Sequence, residues 1–369
     1  MLEDKEMMRK TSVAFVVVVV FLVVSCTRHT TESEVAWAIL PFTKVDSVNP
    51  ILSAGTGEFT CPILRQKVKW EEKDVFNPAA IVRHDTIFLL YRAEDVIGKY
   101  AGTSRVGLAF SVDGLHFTRR SEPVFFPAED AMKTYEWEGG IEDPRIIENE
   151  NGIYFLTYTA YDGKTARLCI ASSNDLLHWT KHGLVLTGKY KDGWSKSGAI
   201  VGKRVADKII AQKMDGNYWM YFGDTDLFMA TSVDLIHWQP LEENGKLKSV
   251  LKPRVNYFDS RLVESGPAAM LTENGIVLFY NGMNLAEAGD STIAKEAYCS
   301  GQALFDKNDP SKLVDRLEKN FLRPDKSYEI NGQVNQVCFI EGLVPFRGKW
   351  FLYFGTADSK IAVATSAIK

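Results

Sequence analysis

The chain predicts an all-β fold, a five-bladed β-propeller around an axial funnel, and three recurrences predict it. In the first, a polar or glycine turn leads into an apolar run that ends on an aromatic. It appears as HDTIFLLY to Tyr91, NGIYFLTY to Tyr158, DGNYWMY to Tyr221, ENGIVLFY to Tyr280 and RGKWFLY to Tyr353. The second precedes each of these: NPAAIV (77–82), DPRII (143–147), SGAIV (197–201), GPAAM (266–270) and EGLVPF (341–346). The third follows three of them, as GLAFSVDGLHF to Phe117, LCIASSNDLLHW to Trp179 and LFMATSVDLIHW to Trp238, with a truncated IAVATSA at the C-terminus. A sustained period is the mark of a repeat architecture, and five antiparallel units closed in a ring leave few open sheet edges.

Each element follows from local chemistry. Short runs of Val, Ile, Phe and Tyr bounded by Gly, Asn and Asp read as strands. A unit is therefore a small-residue inner strand, a turn, a second strand ending on the aromatic, a third strand, and then Asp-Leu-x-x-Trp. In that last segment Asp113, Asp175 and Asp234 are expected to cap tight turns through side-chain to backbone bonds. Phe117, Trp179 and Trp238 are expected to pack between blades, and His116, His178 and His237 recur with the repeat.

The 369 residues suit one propeller over 46–369, and 46% hydrophobic with 12% aromatic residues supply a packed core. A net charge of −4 without a basic cluster excludes nucleic acid as a partner. At the N-terminus Lys5, Arg9 and Lys10 precede the apolar run 13–24, then Ser25 and Cys26. A basic stretch before a short apolar one is a secretory signal, too short to span a bilayer comfortably. Segment 22–26 resembles the bacterial lipobox, whose cysteine is acylated. The expected organisation is a lipoprotein signal over 1–26, a tether over 27–45, and membrane contact only through the lipid on Cys26, in the periplasm or at the cell surface. Cys61, Cys169, Cys299 and Cys338 are far apart and show no C-x-x-C, so no zinc site is expected. Cys169 and Cys338 read as small buried hydrophobes.

In a propeller of repeats, positions that hold the fold recur and positions that carry chemistry break the pattern. Ahead of the inner strands stand Asn77, Glu142-Asp143, Lys196-Ser197, Glu264-Ser265 and Glu341. After the recurrent aromatic stand Arg92, Thr159, Gly223-Asp224, Asn281 and, farther on, Asp358. All flank strands of the same order, so they fall at one mouth of the funnel. Paired carboxylates around a sugar-sized pocket are what glycosidic cleavage requires: one protonates the leaving oxygen, another assists attack at the anomeric carbon. Asn77 and Arg92 suit sugar hydroxyls.

GGIEDPRI (139–146), Asn77-Pro78 with Arg92, SVDLIHW and the terminal YFGTADS (353–359) resemble glycoside hydrolase family 130 from about residue 50 onward. The resemblance implies a five-bladed propeller acting on β-mannosides, with Asp143 as general acid and the sugar held by Asn77, Arg92 and Asp358. Glu142, Arg145, Lys196 and Asn281 join the expected substrate-binding set. Most studied members are phosphorylases, and phosphate demands several cationic donors. Here Phe222-Gly223-Asp224 stands in place of a His-Arg-Pro stretch, and Leu262 and Glu264 stand where a basic residue and a glycine are aligned, with Arg261 one position away. Two cations are replaced and two carboxylates appear, an arrangement that favours water over phosphate. The expectation is an inverting β-mannoside hydrolase of the β-1,2-mannosidase branch, with Glu264 or Asp224 as base and without metal or cofactor. The competing readings are a phosphorylase and a non-catalytic sugar-binding lipoprotein.

Overall fold

Four-stranded antiparallel sheets form at the five predicted places in this computed structural model, which describes residues 35–100 and 102–368. Blade one comprises Asp74–Arg83, Thr86–Glu94, Ser104–Ser111 and Thr118–Arg119, and blade two Gly140–Glu148, Tyr154–Tyr161, Ala166–Ser173 and Thr180–Leu184. Blade three runs through Ala199–Val205, Tyr218–Phe222, Phe228–Ser232 and Gln239–Pro240. The inner strand of blade four is broken into Leu262–Ser265 and Ala269–Thr272, and Gly275–Met283, Tyr298–Phe305 and Leu313–Arg316 complete that blade. Blade five has Cys338–Phe346, Lys349–Thr356 and Lys360–Ala367, with Thr43–Lys44 as its outermost strand.

The turns follow the sequence. Inner and second strands join through two-residue turns at His84-Asp85 and Arg347-Gly348, where both central residues have positive φ, and Asp215-Gly216 takes the same conformation between Met214 and Asn217. That is the hairpin geometry whose twist matches the flanking strands. Asp113, Asp175 and Asp234 each accept the backbone N–H groups two and three residues on, at 2.8–2.9 Å. Phe117 meets Tyr353 edge-on at 5.7 Å, and Trp179 meets Phe125 at 5.9 Å. Cys61, Cys169, Cys299 and Cys338 are buried free thiols.

A recurrent lock holds three of the five tyrosines, while Tyr221 and Tyr353 donate to the Pro310 and Gly114 carbonyls. In blade one the Tyr91 hydroxyl donates to Glu71 at 2.9 Å, and Arg119 on the outer strand reaches the same carboxylate. Blade two repeats this as Tyr158, Glu136 and Lys181, and blade four as Tyr280, Asp259 and Arg316. The three cations sit opposite Ala109, Ala171 and Ala303 in register. Lys44, opposite Ala364, is their counterpart in blade five and binds Glu329 at 2.7 Å.

That placement corrects the expected tether over 27–45. Thr43–Lys44 pairs with Ala364 and Thr365, Ile39 exchanges two hydrogen bonds with the Gln302 side chain, and the Trp37 indole donates to Asp315. The mostly apolar segment 36–45 at the end of the expected tether supplies the outer strand of blade five, and residues 27–34 lie outside the described residues. The expected signal segment 1–26, with Cys26, lies outside the described residues. Among the described residues no helix is long and apolar enough to cross a membrane.

Candidate active site

Bulges in the inner strands aim the site. Pairing of Asp74–Arg83 skips Asn77, that of Gly140–Glu148 shifts between Glu142 and Arg145, and that of Cys338–Phe346 skips Glu341. An extra residue leaves the ladder and breaks the two-residue alternation of side chains. Asn77 and Asp143 lie in the left-handed region at φ 48° and 47°, as does Ser197 ahead of the blade-three strand at 61°. Non-glycine residues rarely adopt this conformation, and where they do it marks sites held by their surroundings. Here the surroundings are each other: the Asn77 amide donates to Asp143 Oδ1 at 2.9 Å, and both residues are buried.

Arg92 organises one side of this cluster. Its guanidinium binds Asp143 Oδ1 at 3.0 Å, Glu142 at 2.9 Å and Glu94 at 2.8 Å, and stacks over the Phe76 ring. On the other side Lys196 Nζ lies 3.4 Å from Asp143 Oδ2 and 3.2 Å from Glu264 Oε1, and the Ser197 hydroxyl also donates to Glu264 Oε1. Burial alone would raise the Asp143 pKa, but Arg92, Lys196, Arg145 and the Asn77 hydrogen bond reverse this and hold it well below the carboxylate range. Its neighbour Glu142 goes the other way: desolvation and the Asp143 charge outweigh Arg92, and its pKa rises to about 7. Asp358 also rises to about 7, through desolvation opposed by Arg92 and reinforced by Asp143 and Glu94. Desolvation raises Glu264 as well, with Lys196 opposing and Asp224 adding to the shift. Carboxyls with pKa values pushed in opposite directions within one pocket are the pattern of an acid–base site.

Because one ammonium grips both, Asp143 Oδ2 and Glu264 Oε1 are at most about 6.6 Å apart, the two contacts laid end to end. Inverting glycosidases separate their carboxyls by roughly 6.5–9.5 Å and retaining ones by roughly 5–5.5 Å, and the upper bound for this pair spans the retaining spacing and reaches the short edge of the inverting range. Asp224 borders the cluster from the end of Tyr218–Phe222. It is half-buried, accepts the Trp194 indole N–H at 2.7 Å, and acts electrostatically on Glu264 and Lys196. Among the described residues no group of three or more His, Cys, Asp or Glu side chains is arranged to hold a metal ion.

Residues 53–369 match the family model of glycoside hydrolase family 130, described as "beta-1,4-mannooligosaccharide phosphorylase". The chain belongs to glycoside hydrolase family 130. It is 32% identical over 319 residues to a "1,2-beta-oligomannan phosphorylase" of Thermoanaerobacter sp. (strain X514), covering 84% of this chain and 95% of that one. A solved glycosyl hydrolase from Bacteroides ovatus superposes with a TM-score of 0.88 at 44% identity, over 90% of this chain and 95% of that one. Another solved chain superposes at 0.87 with 43% identity, over 90% and 97%. It is described as "The GH130 family of mannoside phosphorylases contains glycoside hydrolases that target beta-1,2 mannosidic linkages in Candida mannan".

Within this family 130 fold, the residues expected from sequence divide in two. Asn77, Arg92, Glu142, Asp143, Lys196, Glu264 and Asp358 converge on one electrostatic cluster, with Asp224 at its edge. Arg145 and Asn281, also expected to bind substrate, are bonded to other groups of the protein in this structure. Arg145 is buried and spends its donors on the carbonyls of Asp143, Ser265 and Gly266 and on Glu341 at 3.1 Å. Asn281 binds both the N–H and the C=O of Ile340. Both tie one blade to another. Ser197, singled out ahead of the blade-three strand, holds Glu264 through its hydroxyl, whereas three site residues were not singled out. Glu94 buttresses Arg92 and accepts from Lys73 at 2.9 Å. Tyr298 lies in the field of Glu264, Lys196, Asp358 and Asp224, and Trp194 pins Asp224. Glu94 is two positions from Arg92 on the strand Thr86–Glu94, and period-two reasoning would have reached it; Trp194 lies in the loop before the blade-three strand, where no period points to it.

Proposed function

We propose that the chain is an inverting β-mannoside hydrolase acting on β-1,2-linked mannosides with water as nucleophile. The observation that carries the reading is the charge balance around Glu264. Side chains alternate along Leu262–Ser265, so Leu262 shares the face of Glu264. The cleft beside it is lined by Gly223, Asp224 and Thr225 along with Arg261 and Leu262. Lys196, the cation in contact with Glu264, is already shared with Asp143. A phosphate dianion requires several converging cationic donors, whereas water requires a base. The relative described as targeting β-1,2 mannosidic linkages and the one named for 1,2-β-oligomannan support the linkage.

In this mechanism Asn77, Arg92, Glu142 and Asp358 hold the hydroxyls of the sugar to be released. Water attacks the anomeric carbon and gives its proton to Glu264, aided by Asp224. The glycosidic bond breaks, and its oxygen takes a proton whose source is Asp143. In the free protein Asp143 is an anion held by Arg92, Lys196 and Asn77. A substrate hydroxyl that takes over one of those contacts raises its pKa and lets it carry the proton. A raised pKa at Glu264 makes it a stronger base near neutral pH.

Phosphorolysis is the second reading, favoured by Arg261 in the cleft wall and by the relatives named as phosphorylases. Proton NMR of β-1,2-mannobiose turnover separates the two. Free α-mannose should appear first, at a rate indifferent to added phosphate; mannose 1-phosphate formed only with phosphate would overturn the proposal. Asp143→Asn should lower kcat by at least ~10²-fold, the low end for a positioned general acid. The basic stretch and the lipobox-like segment 22–26 support anchoring through Cys26, and Cys26→Ser should leave active protein in the soluble fraction.

A further inference from the structure

One guanidinium joins the backbone segments that carry both proposed catalytic carboxyls. Arg145 Nη1 donates to the Asp143 carbonyl at 3.0 Å, Nη2 to the Ser265 carbonyl at 2.8 Å and Nε to the Gly266 carbonyl at 3.0 Å. Asp143 is the proposed acid, and Ser265 follows the proposed base, Glu264, in the chain. The three carbonyls lie where the inner strands depart from regular pairing, in the bulge of blade two and at the break in blade four. Blade five adds Glu341 from its own bulge, with Oε1 3.1 Å from Arg145 Nη2.

Three observations separate this contact from ordinary packing between blades. Arg145 and Glu341 are both buried, and among the described residues neither Glu341 oxygen has a hydrogen-bond partner, so Arg145 is the group that this side chain faces. Asn281, opposite Glu264 in register, holds both the N–H and the C=O of Ile340, the residue before Glu341. The base segment is therefore tied to blade five by Asn281 and to the acid segment by Arg145. Finally, a guanidinium presents its donors in a rigid planar fork, so three carbonyls gripped by one such group keep set distances from one another. Its charge also acts on both carboxyls, pulling the pKa of each downward against desolvation.

We propose that Arg145, oriented by Glu341, is a positioning residue that fixes the spacing between acid and base and hence the gap that admits the attacking water. The inference rests on the assignment of Asp143 and Glu264 above. An inverting site must leave room between its carboxyls for that water. Lys196 draws the two side chains together, while Arg145 holds their backbones at a set distance. Displacing a reacting group by about 1 Å can cost on the order of 10²-fold in rate.

Arg145→Lys tests this, because it keeps the charge and loses the fork. On β-1,2-mannobiose its kcat should fall by on the order of 10²-fold, while KM stays within about threefold of wild type, since Asn77, Arg92, Glu142 and Asp358 are intact. A kcat within about threefold of wild type in folded Arg145→Lys, or a loss that falls on KM alone, would overturn the proposal. Glu341→Met and Glu341→Gln give a second measurement, which decides the matter where Arg145→Lys does not fold. Glu341→Met removes the acceptor that faces Arg145 and should lower kcat by about tenfold or more. Glu341→Gln, whose amide oxygen still accepts from Arg145, should recover most of that loss, and equal kcat in the two would overturn the proposal. Asp143→Asn and Glu264→Gln, assayed alongside, separate the two failures. Undiminished kcat in either defeats the acid–base reading itself, whereas loss in both with Arg145→Lys unaffected defeats the positioning role alone.

Discussion

Glu264 is where opposing electrostatic effects set the chemistry. Burial raises its pKa, the Lys196 ammonium 3.2 Å away lowers it, and Asp224 raises it again; the balance lies above the ordinary carboxylate value. The base role proposed for Glu264 needs it deprotonated, so kcat should fall as pH drops through this raised pKa, placing the acid limb of the rate profile above that of a free glutamate. The neighbours predict the direction of two shifts. Lys196→Met removes the lowering cation and should move the limb to higher pH, while Asp224→Asn removes a raising charge and should move it lower. pH profiles of kcat for the residual activity of each variant provide the check. A limb that stays in place in both would remove Glu264 as the base and return that role to Asp224.

At the scale of the element, the blade lock yields a stability prediction. Glu329 is fully buried and Lys44, on the two-residue strand Thr43–Lys44, is its cation. Removing one partner of a buried pair leaves an uncompensated charge, at a cost of about 3–5 kcal/mol. Lys44→Met should therefore lower unfolding stability by roughly that amount in denaturant titration, and Lys44→Arg by clearly less. A loss no greater than that of an exposed lysine would show that the strand does not close blade five. The tyrosines of this lock are legible in the sequence because apolar runs and turn residues announce second strands by local chemistry. Glu71, Glu136, Asp259 and Glu329 are not, since they come from connecting segments between blades and show no period. The same limit explains the site. Asn77 and Asp143 stood out as departures from a repeat, and the bulges put them on the axis. Arg145 and Asn281 stood out equally, but their partners are backbone groups of a neighbouring blade, which no spacing along the chain reveals.

Over the whole molecule, one axis collects carboxyls that folding desolvates, and this sets how stability depends on pH. On this axis Glu142 and Asp358 are raised to about 7 and burial also raises Glu341 and Glu264, while Glu136, in the blade-two lock, is raised to about 6. A carboxyl whose folded pKa exceeds its unfolded value binds its proton more tightly when folded. Its stabilising contribution is fully present below the unfolded pKa, near 4, and is lost as pH rises through the folded pKa. The groups shifted the other way, Asp143 and the turn-capping Asp113, Asp175 and Asp234, contribute above the ordinary carboxylate pKa and lose that contribution only in stronger acid. Between pH 5 and 8 the raised groups therefore decide, and Tm should fall as pH rises through this window. Asp358→Asn should raise Tm at pH 8 relative to wild type and flatten the slope, while impairing turnover through the loss of the group proposed to hold the sugar. Calorimetric scans of both proteins at pH 5 and pH 8 test this. A wild-type Tm equal or higher at pH 8 would mean that Arg92 and Lys196 fully compensate the buried charges, and that the catalytic funnel is held without cost to the fold.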